Sequence, residues 1–283
     1  MIACRTEPKN RKKELKMDKK TFTTFVALIY EKSGITLNKN KEALVSSRVA
    51  KRMRQLGMSE HKQYLDYVLS DKKGDEIIHL LDVISTNVTH FFREDAHFTF
   101  VRDTMNKWLE NGQRQFTFWS AGCSSGEEPY TLAMVLKEIL QNGSAGVRIL
   151  ATDISTRILE KSKAGTYEAP KLEKVPAQLR DRYFSKNGYN SSAVYTAKDI
   201  IRSLITFKRL NLSEVPFPMK GPMDIIFCRN VMIYFDNKIR VNLLNEFHRL
   251  LKSGGYLLVG HAESLTGMLG GFKAVKPSIY VKA

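Results

Sequence analysis

Hydrophobic spacing along the chain changes at Gly112, and no all-helical or all-strand fold accommodates both halves. Before it, Phe22, Phe25, Val26, Ile29 and Tyr30 recur at three- and four-residue steps, the spacing of one helix face. The pattern predicts a helix from Thr21 to Gly34 and another over 41–56 that stops at Gly57. Further helices are expected over 63–69, 76–84 and 94–109. After Gly112, apolar runs at 116–120, 148–152, 205–209, 223–228 and 256–259 read as strands. Helical patterns at 127–140, 157–163 and 237–251 separate several of them, the last closed by Ser253-Gly254-Gly255, and two short strands at 272–275 and 279–282 end the chain. Strands alternating with helices predict an α/β class fold with an open, mostly parallel sheet. Between Gly165 and Ile205 the alternation breaks: Tyr183-Phe184 and Val194–Thr196 flank an Asn187-Gly188 turn, which predicts a small antiparallel β insertion over about 166–204. The expected division is a basic mobile tail over 1–20, a small N-terminal all-helical domain over 21–92, a linking helix over 93–115 and the α/β domain over 116–283. A length of 283 residues suits about two domains.

Charge narrows the partners. Lys and Arg number 45 against 29 Asp and Glu, a net charge of +16. The segment 1–20 holds eight basic and three acidic residues, and 117–283 holds 23 and 14, so the excess is local. It implies an acidic partner: nucleic acid, an anionic membrane surface or an acid-rich protein. No run approaches the roughly 18 apolar residues of a membrane span, so no membrane insertion is expected. The opening MIACRTEPKNRKKELK lacks the apolar core of a secretory leader. Cys4, Cys123 and Cys228 are scattered without a CxxC pair, which fits a reducing cytoplasm. The six histidines show no metal-ligand spacing, and no metal is expected.

Open parallel sheets bind ligands beyond the carboxyl ends of their strands. The first strand leads into Ala121-Gly122-Cys123-Ser124-Ser125-Gly126-Glu127-Glu128-Pro129. Its glycines let backbone approach a ligand, and a helix start follows. The spacing is neither the dinucleotide Gly-x-Gly-x-x-Gly nor a phosphate-binding P-loop. Two acids stand where a pyrophosphate would go, which suits a cationic ligand. The second strand ends at Thr152-Asp153, an acid that can hold a ribose diol or cap the next helix. The strand over 223–228 runs into Arg229-Asn230 and then Tyr234-Phe235. Thr86-Asn87-Val88-Thr89-His90-Phe91-Phe92-Arg93-Glu94 crowds the domain junction, a preferred ligand position. His261-Ala262-Glu263-Ser264, after the strand over 256–259, is a further lining element.

Thr86–Glu94, Trp119–Thr131, Ala151–Ile154 and Phe227–Phe235, in that order and spacing along the chain, resemble the chemotaxis receptor methyltransferases, the CheR family; the resemblance covers about residues 20–283. It implies an S-adenosylmethionine-dependent methyltransferase with a Rossmann-like sheet. The implied activity is protein-glutamate O-methyl transfer to the cytoplasmic helices of chemoreceptors, with S-adenosylhomocysteine as product. By the family pattern Asn87, Thr89 and Arg93 reach the cofactor, Gly122 and Glu128 belong to the glycine loop, and Asp153 holds the ribose. Asn211 and Leu212 border the adenine, and Arg229 and Asn230 lie near the transferable methyl. Arg93 and Tyr234 are the candidate catalytic residues that align the reacting groups. A glutamate acceptor, with an ordinary pKa of about 4.3, is already ionised at neutral pH and needs no general base. The enzyme's task is then placement and exclusion of water.

On the helix over 41–56, Arg48, Lys51, Arg52 and Arg54 share a broad arc, while Val45, Val49, Met53 and Leu56 fall on the packing side. Glu42 is the lone acid in that stretch, which makes the arc a candidate substrate surface; the resemblance implies that it meets the acidic methylation region of a receptor. The family's insertion takes a receptor tail as an added strand in some members and not in others, and these residues do not choose between them. The protein is expected to be monomeric, cytoplasmic and recruited to receptor arrays. Two other readings are a nucleic-acid methyltransferase and a non-enzymatic module that senses the cofactor. Against the first, the position of the usual Asn/Asp-Pro-Pro-aromatic run holds Cys228-Arg229-Asn230-Val231.

Overall fold

Four helices at the N-terminus close around Phe25, Ile29, Val45, Val49, Met53, Tyr64 and Leu80, each almost wholly buried. A computed structural model describes residues 17–140, 145–188, 193–265, 267–268 and 270–283. The four helices are α1 (Lys19–Ser33), α2 (Glu42–Gln55), α3 (His61–Ser70) and α4 (Asp75–Ile84). Asp18 caps α1, its carboxylate accepting the backbone N–H of Thr21 at 2.9 Å. Met17 is 3% exposed, so the expected tail over 1–20 reaches too far: residues 17–20 belong to the helical domain. Residues 1–16, the rest of that tail, lie outside the described residues.

The next helix, α5 (Ala96–Glu110), starts two residues later than the apolar pattern implied. Phe92 and Glu94 hold positive φ angles of 55° and 54°, and the Phe92 N–H is drawn to Thr131 Oγ1 at 3.2 Å. The segment therefore curls before the helix can form.

The α/β part runs β1 (Gln115–Ala121), α6 (Glu127–Leu140), β2 (Gly146–Asp153), α7 (Thr156–Ala164), β3 (Thr166–Glu168), α8 (Ala177–Tyr183), β4 (Phe184–Asn187), β5 (Val194–Ala197), α9 (Asp199–Arg202) and β6 (Ile205–Arg209). It closes with β7 (Met223–Cys228), α10 (Asn237–Leu250), β8 (Leu251–Val259), β9 (Phe272–Lys276) and β10 (Ile279–Lys282). The main sheet has the order β6-β2-β1-β7-β8-β10-β9. Its first five strands are parallel, and β10 is antiparallel to both neighbours. Alternate residues feed two cores, as a period of two requires: Phe118, Ile225 and Phe227 pack in one, Trp119, Ile226 and Cys228 in the other. Strand order reverses between β1 and β7, which opens a crevice at their carboxyl ends.

Two local expectations change. Ser253-Gly254-Gly255 does not close α10; it lies inside β8, where the pairing jumps from Met223↔Leu251 to Ile225↔Tyr256. Gly254, at φ 70°, supplies the bend. The insertion is a three-stranded sheet, β3-β5-β4, with one strand more than the pattern indicated. Asn187 pairs with Val194, so residues 188–193 connect β4 to β5 rather than a two-residue Asn-Gly turn. Residues 189–192 of that connection lie outside the described residues.

The two parts are stapled at several points. Tyr30 donates to Asp236 Oδ2 at 2.6 Å, Asn211 Nδ2 to the Lys32 carbonyl at 3.0 Å, and Thr36 N to the Tyr234 carbonyl at 2.8 Å. Gly34 ends α1 at φ 71°, and a Cβ there would lie 2.6 Å from Ser213 Cβ and 2.7 Å from Ile239 Cδ1. Gly34→Ala therefore combines backbone strain of about 1 kcal/mol with a clash at the domain contact. Its urea midpoint should fall, with a loss of more than that amount.

Candidate active site between the two domains

A cavity of about 430 Å³ lies over the crevice between β1 and β7, roofed by the helical domain. Its floor is the loop after β1. Gly122, at φ 83°, and Cys123 both donate to the Thr152 carbonyl, at 2.8 and 2.9 Å. A Cβ on Gly122 would collide with Val231, so glycine lets the loops after β1 and β7 touch. Ser124, at φ 49°, donates its N–H to Asp153 Oδ2 at 2.9 Å, and Ser155 N donates to Oδ1 at 3.0 Å. Asp153 thus fixes the loop as well as facing the cavity. Burial pushes its carboxyl above the ordinary value of 3.8, against the opposing pull of these hydrogen bonds.

One wall is built around Arg229, whose side chain is only 3% exposed. Its Nε donates to Glu128 Oε2 at 2.7 Å and one terminal nitrogen to the Arg93 carbonyl at 2.6 Å. That nitrogen also lies 3.4 Å from Glu94 Oε2 and 3.2 Å from His97 Nδ1. Glu128 Oε1 accepts from Ser120 Oγ at 2.6 Å. His97 is pushed down to about 3, first by burial and then by the charges of Arg229 and His261, so it is neutral at pH 7. Glu94, His97 and His261, far apart in sequence, bring ligand-type atoms within 4.8 Å of one another. The guanidinium of Arg229 already supplies the cation there.

The roof comes from residues 33–48 and 84–89. Arg48 donates to the Ile84 carbonyl and to Thr86 Oγ1, the latter at 3.0 Å, and so holds the segment that carries Asn87 and Thr89. Arg93 donates to the Val88 carbonyl at 3.0 Å.

The structure brings Asn87, Thr89, Arg93, Gly122, Glu128, Asp153, Asn211, Leu212, Arg229, Asn230 and Tyr234 to one cavity. Several are oriented otherwise than expected. Arg229 spends its hydrogen bonds on protein groups, so it shapes the wall. The Asn211 amide is held by Lys32, Ser213 and Glu214. Glu127 turns away, accepting from Ser125 Oγ at 2.6 Å and pairing with Lys171 at 3.3 Å. Of the four α2 cations, Arg48 alone lines this cavity. Arg52 is bound to the buried Glu76 through two hydrogen bonds of 2.8 and 2.7 Å, so it is a structural residue rather than part of a free arc. Lys51 and Arg54 are exposed. Arg48, Lys51 and Arg52 also border a neighbouring groove of about 310 Å³ with His79, Asp82 and Arg157. Sequence reading missed Thr36, Leu37, Lys41 and Leu44 in the roof; their one signal is a polar loop beside a domain junction.

The donor set fits a cationic, diol-bearing ligand: a glycine floor, carboxylates at the ends of β1 and β2, and a roof from a second domain. Ser124 Oγ, buried at the cavity, has no partner among the described residues. Residues 20–85 match the family model "CheR methyltransferase, all-alpha domain", and residues 87–281 match "CheR methyltransferase, SAM binding domain". The chain belongs to the CheR methyltransferase family. A chemotaxis protein methyltransferase of Borreliella burgdorferi is 36% identical over 275 residues, 95% of this chain and 96% of that protein. The Escherichia coli protein of that name is 33% identical, over 92% of this chain and 89% of its own length. A probable chemotaxis protein methyltransferase of Rhizobium etli is 37% identical, over 85% and 91%. The protein is accordingly a chemotaxis methyltransferase that depends on S-adenosylmethionine. No helix among the described residues is long and apolar enough to cross a membrane.

Removing Arg52 from this CheR protein strands the Glu76 carboxylate, 4% exposed, with Tyr64 as its remaining side-chain partner. Arg52→Ala should cost about 3 kcal/mol in urea unfolding. Cofactor affinity measured by calorimetry on the folded fraction should be unchanged.

Proposed function

We propose that the chain transfers the methyl group of S-adenosylmethionine to glutamate side chains on the cytoplasmic helices of chemoreceptors, forming methyl esters at receptor arrays. One observation carries this reading. Among the described residues lining the cavity, Glu128 and Asp153 are the only carboxylates, both are committed to protein donors, and no histidine is present. Such a lining offers no uncommitted carboxylate and no imidazole to act as general base. It suits an acceptor that arrives ionised, as a glutamate carboxylate does. An amine or a base nitrogen has a proton to lose.

S-adenosylmethionine supplies an electrophilic methyl group on a sulfonium centre. The chain's residues hold and align. Asp153 is assigned to the ribose hydroxyls, Asn87, Thr89, Glu128 and Asn230 to the polar groups, and Leu212 with Asn211 to the adenine edge. Arg229 keeps Glu128 in place. Arg93 and Tyr234, half-buried at the cavity, are assigned to the incoming carboxylate, which a cation and a hydroxyl orient without removing a proton. The helical roof excludes water, which strengthens these interactions. Lys51 and Arg54, exposed on α2, extend the positive surface toward an acidic receptor helix. The nucleic-acid alternative gains nothing from the site: Cys228 is fully buried and burial raises its thiol pKa, which disfavours a nucleophilic thiolate.

Incubation with labelled cofactor and receptor-bearing membranes should yield base-labile methyl ester; labelled nucleic acid or binding without transfer would overturn the reading. Arg93→Ala should lower kcat/KM about 10- to 100-fold with the fold intact, the loss expected for one charged hydrogen bond. Tyr234→Phe reports the hydroxyl separately. Paired Lys51→Ala and Arg54→Ala should raise receptor KM, most at low salt, and leave cofactor affinity unchanged.

Asp153 gives a pH test with opposite signs for binding and stability. Its folded pKa is raised, so its contribution to stability is fully present below the unfolded value and is lost as pH rises through the folded value. The ionised form is the one that accepts from a diol. Cofactor affinity should therefore decline as pH falls through a window that begins above 3.8, and Asp153→Asn should flatten that dependence in a calorimetric titration.

A further inference from the structure

Glu263 lies just past β8, and its side chain is buried, with 3% of the residue exposed. Its carboxylate gathers four backbone N–H groups. Oε2 accepts from Gly260 at 2.6 Å and Asn230 at 2.7 Å, and Oε1 accepts from Val231 at 2.9 Å and Ile233 at 3.3 Å. Three of these donors belong to the loop after β7. That loop is irregular: Asn230 stands at φ 60°, and Met232–Tyr234 form a single 3-10 turn. Asparagine takes such a φ at little cost, but an irregular loop leaves backbone N–H groups that must find partners outside it. Gly260 completes the cage. A Cβ there would lie 2.6 Å from Asn230 Nδ2 and 2.8 Å from Glu263 Oε2, so glycine is what lets the carboxylate reach the loop.

We infer that Glu263 is a positioning residue for methyl transfer: its carboxylate acts as an internal anion around which the loop carrying Arg229, Asn230 and Tyr234 is wound. The chemistry matches the way a backbone nest binds a phosphate or carboxylate, here with the anion supplied by the chain itself. A carboxylate offers lone pairs to all four donors at once, and a charged acceptor strengthens each bond. Glutamine cannot replace it, because one of its two positions is an NH₂ that would face backbone N–H groups. The loop in turn delivers Arg229 to Glu128, Asn230 to the cavity, and the Tyr234 carbonyl to Thr36 of the roof. A single side chain outside the cavity lining therefore sets the wall and one fastening of the roof. The inference rests on S-adenosylmethionine dependence and not on the identity of the methyl acceptor.

The test uses S-adenosylhomocysteine as probe and the full-length protein, so it is independent of any receptor. Glu263→Gln should weaken binding of S-adenosylhomocysteine about tenfold or more in calorimetry, the loss expected when charged hydrogen bonds are withdrawn. Hydrogen exchange at residues 229–234 should accelerate by a similar factor, with α1, α2 and β2 exchanging as in the unsubstituted protein. Gly260→Ala, which presses on the cage from its other side, should do the same. Glu263→Asp keeps the charge one methylene back and should give an intermediate loss; it also serves if the glutamine variant does not fold. Affinity within twofold of the unsubstituted protein, or a loss accompanied by a uniform rise in exchange across the chain, would overturn the assignment.

Discussion

The buried guanidinium of Arg229 is the interaction on which the site's architecture turns. A charge removed from water costs several kcal/mol unless its hydrogen bonds are met, and here the partners come from separate parts of the fold. Glu128 comes from the first turn of α6, the Arg93 carbonyl and Glu94 from the curled junction, and His97 from α5. The rings of Phe98 and Phe227 lie 5.4 and 5.7 Å from its central carbon, so the remaining surface of the cation meets aromatic faces. Because Arg229 can be buried only with these partners in place, the segments after β1 and β7 and the junction before α5 have one mutual arrangement. His97 fits the same arrangement: its burial first, and then the neighbouring charge of Arg229, disfavour a protonated ring, and the imidazole stays neutral.

That arrangement reaches the helical domain by short polar fastenings, beside apolar contacts such as Ile154 against the helical core. Thr36 binds the Tyr234 carbonyl, Asn211 binds the Lys32 carbonyl, Tyr30 binds Asp236, and Arg48 holds the Thr86 segment. The cavity is made of both domains, and neither builds it alone. A roof held by hydrogen bonds suits an enzyme that must admit its cofactor, because such bonds exchange with water at small net cost.

Much of this was legible in the residues. The period change at Gly112, the glycine loop and the strand-end acids needed local information, and the structure places them as their spacing implied. What the sequence hid depends on partners distant along the chain. Arg52 reads as a free cation until Glu76, 24 positions away, is folded against it. Arg229 follows an apolar strand and so reads as a ligand contact; its direction is decided by Glu128 and His97, which no period links to it. The bend inside β8 looked like a helix terminator, because Ser-Gly-Gly serves either purpose and only the pairing with β7 distinguishes them. His261–Ser264 reads as a lining element, yet none of the four lines the cavity: the Glu263 carboxylate is instead taken up by four backbone N–H groups, three of them some 30 positions away.

The net charge of +16 is also altered by folding, and this bears on what the positive surface can do. Arg229, Arg52 and Arg249 are bound to carboxylates within the structure, so their charges are largely neutralised locally and reach little beyond it. Exposed cations, such as Lys41 at the cavity and Lys51 and Arg54 farther along α2, act at longer range and in a salt-dependent way. Under the proposed function the acceptor enters as a carboxylate and leaves as a neutral ester, and for such a reaction this division has a physical logic. Attraction is strong while the acceptor is charged and weakens once the ester forms, so the product is released by the loss of the same charge that drew the substrate in. A tight internal cation at the reacting carboxylate would oppose that release and lower its nucleophilicity. The strongly held guanidinium is instead spent on Glu128 and the wall, which in the proposed function leaves the acceptor to the half-buried Arg93.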